Sequence, residues 1–249
     1  MAFMKFISKI FNHLQDLRNI LWSIYINFHY LPFKKAYRLP ILVYKPKFVH
    51  LGGKINIEGD IKYGMIRLGF PCVSIYPNTG IMLENRGTIN FKGKCFIGNN
   101  SAISLGKQGF LNLGANIIAT TSCKIVCYDS IEIGDRTSIG WDCIFMDTDF
   151  HKLTKLCGGY SKGYAPIKIG TDNWFGNSCR VLKRTITPNF CTVSAGTILK
   201  SAINVPEYSV IGMNNKIEVL ASDVWKNIND DRIDYGKLND VFCIRTQSS

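Results

Sequence analysis

The stretch from Ile169 to Ile217 repeats in sixes, and that period constrains the fold more than any other feature of the chain. Counting from Ile169 gives Phe175, Val181, Thr187, Val193, Leu199, Val205 and Ile211, all apolar except Thr187 and none charged. Four residues after each comes a mostly small residue: Cys179, Thr185, Cys191, Thr197 and Ser209, with Asn173 and Ile203 as exceptions. Gly170, Gly176 and Gly212 follow the apolar residue directly. A period of six matches neither the 3.6 of a helix nor the simple alternation of an amphipathic strand. It predicts a chain wound as a triangular prism, with one short strand and one corner per hexad and three hexads per coil. The large aliphatic fills the interior, the small residue fits beside it near a corner, and glycine or a polar residue makes the turn. Coils would stack at about 4.8 Å, each covering the apolar edge of the last, so that the core is continuous although no repeat folds alone. The alternative is a β-sandwich of buried strands, which would show no fixed period of six.

The same beat occurs earlier. It runs through Ile97 and Ile103, then Leu113, Ala119, Ile125 and Ile131, then Ile133, Ile139 and Phe145, with Thr137 and Cys143 at the small position. The phase jumps by two residues between some sets, as longer corners would require. Residues 51–93 are glycine-rich with a ragged period and are expected to start the coil, with insertions. The expected division is an N-terminal helical and extended basic segment over 1–50, the coil over 51–220 with a loop at 146–166, and a tail over 221–249 holding a short helix and a frayed end.

In the first segment Phe3, Phe6, Ile7, Ile10, Phe11, Leu14, Leu17, Leu21 and Ile24 recur at three- and four-residue steps, which predicts a helix over 1–30. Its stripe packs on its own domain or a neighbouring subunit, or else lies in a membrane interface. Asp16 and Arg18 interrupt any signal-peptide pattern, and the uncharged run from Asn19 to Phe33 is shorter than the roughly 20 residues a spanning helix needs. Residues 31–50 contain three prolines and read as an extended linker.

Charge narrows the partners. The chain carries a net +12, and its first fifty residues hold eight Lys or Arg against the single acid Asp16, a net +7. That balance predicts anionic partners: a phosphate-bearing cofactor, an acidic glycan or a membrane surface. No recognition helix, zinc motif or aromatic RNA-binding signature accompanies it, so nucleic acid is not expected. The nine cysteines include no C-x-x-C pair, and Cys143, Cys179 and Cys191 fall on the small position of the repeat, which predicts buried free thiols in a reducing compartment. The four histidines are scattered, so no metal site is expected.

One polar, glycine-rich excursion, M-D-T-D-F-H-K-L-T-K-L-C-G-G-Y-S-K-G-Y-A-P, interrupts the ladder, and a loop on a rigid scaffold is a usual place for chemistry. It contains His151, two residues after Asp149 and four after Asp147 and read as the coil's only histidine, with His13, His29 and His50 outside. A histidine held by a scaffold near a carboxylate is what a general base for a hydroxyl or amine requires. Asp147 or Asp149 would fix the imidazole tautomer or bind the acceptor's hydroxyls; the other reading of both is loop capping.

The hexads, the D-T-D-F-H excursion, P-I-K-I-G-T-D-N-W-F-G-N and V-S-A-G-T-I-L-K-S resemble the hexapeptide-repeat acyltransferases, most closely their maltose, galactoside and capsular-polysaccharide O-acetyltransferase branch, over about residues 85–217. Y-L-P-F-K-K-A-Y-R-L-P-I near the N-terminus is similar to the polysaccharide-modifying members. The resemblance implies a left-handed parallel β-helix, a homotrimer, and acetyl-CoA as co-substrate in a groove between neighbouring prisms, with no metal. It implies that His151 is the catalytic base, that Trp174 stands beside the site, and that Gly176, Asn177, Ala195 and Gly196 meet the pantetheine arm. Lys200 would serve the CoA phosphates, displaced by one residue from the family's Thr-Lys, and Lys216 the adenine nucleotide. Small-sugar members carry an acidic pair upstream of the histidine where this chain has only Asp129, the remaining acceptor-binding candidate, which argues against a simple disaccharide. The basic, aromatic N-terminal region points instead to a large anionic or lipid-carried glycan, a polysaccharide or its precursor.

Acetylation of a sugar hydroxyl, in the cytoplasm or on the inner face of its membrane, is therefore the expected activity. An amine acceptor such as an amino sugar or antibiotic is the alternative within the enzyme reading. A non-enzymatic trimeric scaffold is the alternative outside it. A zinc enzyme of carbonic-anhydrase type would need three histidine ligands across an interface.

Overall fold

The computed structural model describes residues 2–151, 153, 154, 156, 158–214 and 216–223, with side chains from residue 16 onward save 214 and 216. The expected helix and frayed end of the tail fall at 224–249, outside the described residues. The coil is a three-sided parallel β-helix whose strands visit its faces in rotation. The first coil consists of β1 (Ile41–Val43), β2 (Pro46–His50) and β3 (Lys54–Ile57), and these strands begin sheets of nine, seven and five strands respectively.

Register explains the sixfold beat. On the first face Val43, Leu68, Ile97, Ala119, Ile139, Phe175, Val193 and Ile211 lie directly above one another. On the second, Leu83, Ile103, Ile125, Phe145, Val181 and Leu199 do the same, and all these side chains are buried. Strands of the third face turn two residues inward, such as Ile131 and Ile133. The apparent two-residue phase jump in the sequence is that strand counted at its first inward residue and then at its second.

The small position is buried beside each corner and bonded to backbone. Thr185 donates to the Leu182 carbonyl at 2.7 Å, Ser209 to that of Pro206 at 2.8 Å, and Cys143 Sγ to that of Gly176 at 3.1 Å. Asn173, an exception by size, is also buried and donates to the Pro188 carbonyl at 2.8 Å. Val205 is only partly buried, because the corner there is longer.

The turns are made mostly by polar residues at positive φ, among them Ser122, Asp142, Asp172 and Ser178, as the repeat predicts, with Phe190 an apolar exception. Gly170 and Gly176 serve another purpose: an added Cβ would lie 2.3 Å from the Pro188 carbonyl oxygen at the first and 2.6 Å from the Ala195 nitrogen at the second. They are small because the next coil's backbone passes directly over them. The segment read as an extended linker instead holds a one-turn helix, α2 (Phe33–Ala36), followed by β1 and β2, so the coil begins at Ile41.

Helix α1 (Ala2–Tyr30) runs antiparallel to β1 along its open edge. The edge amides of Ile41, Val43 and Lys45 donate to Asn27 Oδ1 at 3.1 Å, Ser23 Oγ at 3.0 Å and Asn19 Oδ1 at 2.9 Å. Side chains at i, i+4 and i+8 thus stand in for a missing strand, which leaves no open edge there. At the other end Lys216–Ala221 folds back antiparallel on Val210–Asn214.

Candidate active site

The excursion leaves the second face after the strand Ile144–Met146 and rejoins the third face at Ile167–Ile169. One coil earlier the same corner needs only Tyr128 and Asp129. Its root is fixed at two points. Asp147 is fully buried, and its two carboxylate oxygens accept the backbone N–H groups of Tyr128 and Asp129 at 2.8 Å each. Burial raises its pKa from the ordinary carboxylate value, and those two N–H groups oppose the rise. Asp149 is ion-paired with Lys183 of the next coil. Beyond the root, the bridges Thr148–Tyr164 and Thr154–Tyr160 make a ragged antiparallel ribbon, and Phe150 lies edge-on to Tyr128 at 4.9 Å.

His151 is exposed on this ribbon and lines an open groove of about 350 Å³ with Thr148, Phe150, Tyr160, Lys162 and Tyr164. No described residue hydrogen-bonds its imidazole. The expected carboxylate partner is therefore absent among the described residues: Asp149 faces Lys183, and Asp147 caps the corner below. Capping, the second reading of the aspartates, is the role Asp147 has, and its burial keeps it from an acceptor's hydroxyls. Asp129 lies half-buried on the same corner beneath the loop.

The expected cofactor residues divide between two corners of the prism. Gly176 and Asn177 turn the corner between the first and second faces, and Ala195 and Gly196 turn it one coil later. Gly196 has φ +74° with open space where a Cβ would lie, so bare backbone is accessible there. Trp174 projects from the first face beside this corner, 41% exposed. Lys200 is exposed on the other edge of the second face, the corner that carries the excursion and Lys183. Six residues separate Asn177 from Lys183, at most about 20 Å of extended chain. Within one chain, His151 and the Asn177–Gly196 edge thus stand on opposite sides of one face. Lys216 begins the final antiparallel strand, and its side chain lies outside the described residues.

Lys183 and the aromatic groove wall are not legible in the sequence, because the ladder assigns Lys183 only to a corner and nothing in its spacing names Asp149 as a partner. His50, expected outside the coil, ends β2 inside it, where its Nδ1 accepts the Gly52 N–H at 3.0 Å. A second excursion, residues 71–80, climbs the corner between the first and second faces, and its Tyr76 donates to Asp142 beside Trp141. Among the described residues no group of three His, Cys, Asp or Glu could hold a metal ion. The described cysteines are free thiols, and burial pushes Cys191 up to about 11 and Cys123 to about 12.

No protein-family model matches the chain. It is 29% identical over 119 residues to the probable acetyltransferase Rv3034c of Mycobacterium tuberculosis, an overlap of 46% of this chain and 38% of that protein. The chain thus spans well under half the length of that curated relative. The crystal structure of the polySia specific acetyltransferase NeuO superposes with a TM-score of 0.50 at 15% identity, covering 78% of this chain and 75% of that one. The chain has the left-handed parallel β-helix of the hexapeptide-repeat acetyltransferases.

Proposed function

We propose that the chain transfers the acetyl group of acetyl-CoA to a sugar hydroxyl of a polysaccharide or its precursor, with His151 as general base. The observation that carries this reading is the placement of His151: an accessible imidazole in a groove whose root is fixed to the coil through Asp147 and Asp149–Lys183. One nitrogen of the imidazole accepts the proton of the acceptor hydroxyl as its oxygen attacks the thioester carbonyl, and no nucleophilic side chain is required. A positioned base of this kind contributes roughly 10²–10⁴-fold. Acetyl-CoA supplies the activated acyl group. The residues present fit it across two copies: accessible backbone at Ala195 and Gly196 with the exposed Trp174 ring on one edge, and the exposed cation Lys200 for phosphate on the imidazole-bearing edge that would face it.

The separation of the two corners supports a homotrimer. A single prism holds the imidazole on one edge and the cofactor edge on the other, so a complete site needs the facing edge of a second copy. The relative matched in sequence is a probable acetyltransferase, in keeping with acetyl transfer. The net charge of +12 supports an acidic polymer as acceptor. We assign the activity to the cytoplasm or the inner face of its membrane, since the free thiols of the described cysteines suit a reducing compartment.

The test is incubation with acetyl-CoA and a panel of nucleotide sugars, lipid-linked intermediates, acidic polysaccharides and amino sugars, read by mass spectrometry. Acetyl mass on a hydroxyl of a glycan is expected. Acetyl on amines alone would replace this reading with N-acetyl transfer, and no transfer to any of them would remove it.

A further inference from the structure

Helix α1 is amphipathic in the opposite sense from a helix packed by its apolar stripe. The side chains turned to the coil are Asn19, Ser23, Ile26 and Asn27, all buried. The three polar ones bond the edge of β1, and Ile26 closes the end of the apolar core. On the opposite side of the same turns Leu17, Ile20, Leu21, Ile24, Tyr25 and Phe28 are 39–58% exposed. Phe33 and Tyr37 of the following turn extend this surface, with Phe33 against Phe28 at 5.9 Å. Packing of this stripe on its own domain is thus overturned by hydrogen-bond demand: the open strand edge needs polar partners, and it takes the polar side of the helix. What remains is a run of large apolar and aromatic groups at three- and four-residue steps, larger than scattered surface residues and unlike a solvated face.

We propose that this face docks on an anionic lipid surface. Charge complementarity selects lipid over a second copy. The exposed cations Arg18, Lys34 and Arg38 flank the apolar stripe, and the first fifty residues carry a net +7. Two such ends meeting face to face would bring like charges together, whereas anionic headgroups neutralise them. A groove of about 600 Å³ beside the helix, lined by Arg18, Leu21, Trp22, Tyr25 and Pro46, has the aromatic and cationic character of an interfacial anchor. No helix among the described residues is long and apolar enough to cross a membrane, so the helix lies in the interface plane. Because α1 lies across the end of the prism, the coil then stands off the surface. His151, four coils further on, would sit about 20 Å beyond the first coil, on the side away from the surface.

The experiment is flotation of the full-length protein with vesicles of phosphatidylcholine alone and of phosphatidylcholine and phosphatidylglycerol in roughly equal amounts. The protein is expected to float with the mixed vesicles at least about tenfold more than with the neutral ones, and to be released by high salt. The double variant Leu21→Asp/Ile24→Asp is expected to lower flotation at least about tenfold with an unchanged melting curve, since neither side chain is in the core. Arg18→Glu/Lys34→Glu is expected to remove only the preference for anionic vesicles. Equal flotation of the wild type and the apolar-face variant would overturn the proposal. So would failure of the wild type to float, including the case where it self-associates without lipid through this face, which Leu21→Asp/Ile24→Asp would then disrupt. None of these readouts uses acetyl transfer, so the lipid assignment and the catalytic reading fail separately.

Discussion

The ammonium of Lys183 is ion-paired with the carboxylate of Asp149, so the coil that follows the excursion holds the stretch two residues before His151. With side chains 21% and 50% exposed, the pair contributes at most about 1 kcal/mol to stability. Its effect is positional. Lys183→Ala is expected to leave the urea midpoint nearly unchanged while lowering kcat for acetyl transfer roughly ten- to hundredfold. Full turnover by the variant would make the pair an ordinary surface contact.

Asp147 predicts a pH dependence of stability. Its folded pKa lies above the unfolded value, with burial as the main cause. The folded state therefore holds the proton more tightly than the unfolded chain. The contribution of Asp147 to stability falls as pH rises from the ordinary carboxylate range through the raised pKa, and returns on acidification. Unfolding free energies of the wild type minus those of Asp147→Asn, measured between about pH 4 and 7, should fall with pH. A rising difference would contradict the buried placement.

Asn27 replaces a neighbouring strand for Ile41, accepting its N–H at 3.1 Å and donating to its carbonyl at 2.6 Å. Asn27→Ala would leave both groups buried without partners, at a cost of about 2–4 kcal/mol. The check is chemical denaturation, together with hydrogen exchange at Ile41, which should quicken before exchange in the central coils.

Gly176 and Gly196 sit at the same corner in adjacent coils but are glycine for different reasons. At Gly176 an added methyl would meet the Ala195 nitrogen at 2.6 Å, whereas at Gly196 there is open space and φ is +74°. Gly176→Ala is expected to destabilise by about 1–3 kcal/mol through overpacking, and Gly196→Ala by about 1 kcal/mol through backbone strain. Melting of the two variants gives the order; the reverse order would contradict the stacking.

The coil could be read from Ile97, Phe145, Val181 and their neighbours because a prism repeats its geometry and so repeats its demands on side-chain size. Cys143, Cys179 and Thr185 followed from the same rule. What could not be read were contacts between coils that the period does not encode. Lys183 reaches back to Asp149 across 34 residues of sequence, and no spacing announces such a pair. The orientation of α1 was hidden for a related reason. Periodicity locates an apolar stripe, but the side that docks was decided by unpaired amides on β1, which only the fold brings to Asn19, Ser23 and Asn27. Likewise β1 and β2 were obscured by prolines at their boundaries: Pro40 precedes β1, and Pro46 starts β2.

The central claim is that His151 takes the acceptor's proton, and acetyl transfer by His151→Ala tests it most directly. Turnover of acetyl-CoA with a glycan acceptor is expected to fall by about 10²–10⁴-fold, with CoA affinity and the melting curve unchanged, since the imidazole is exposed and bonded to no described residue. Turnover equal to that of the unaltered chain would contradict the account.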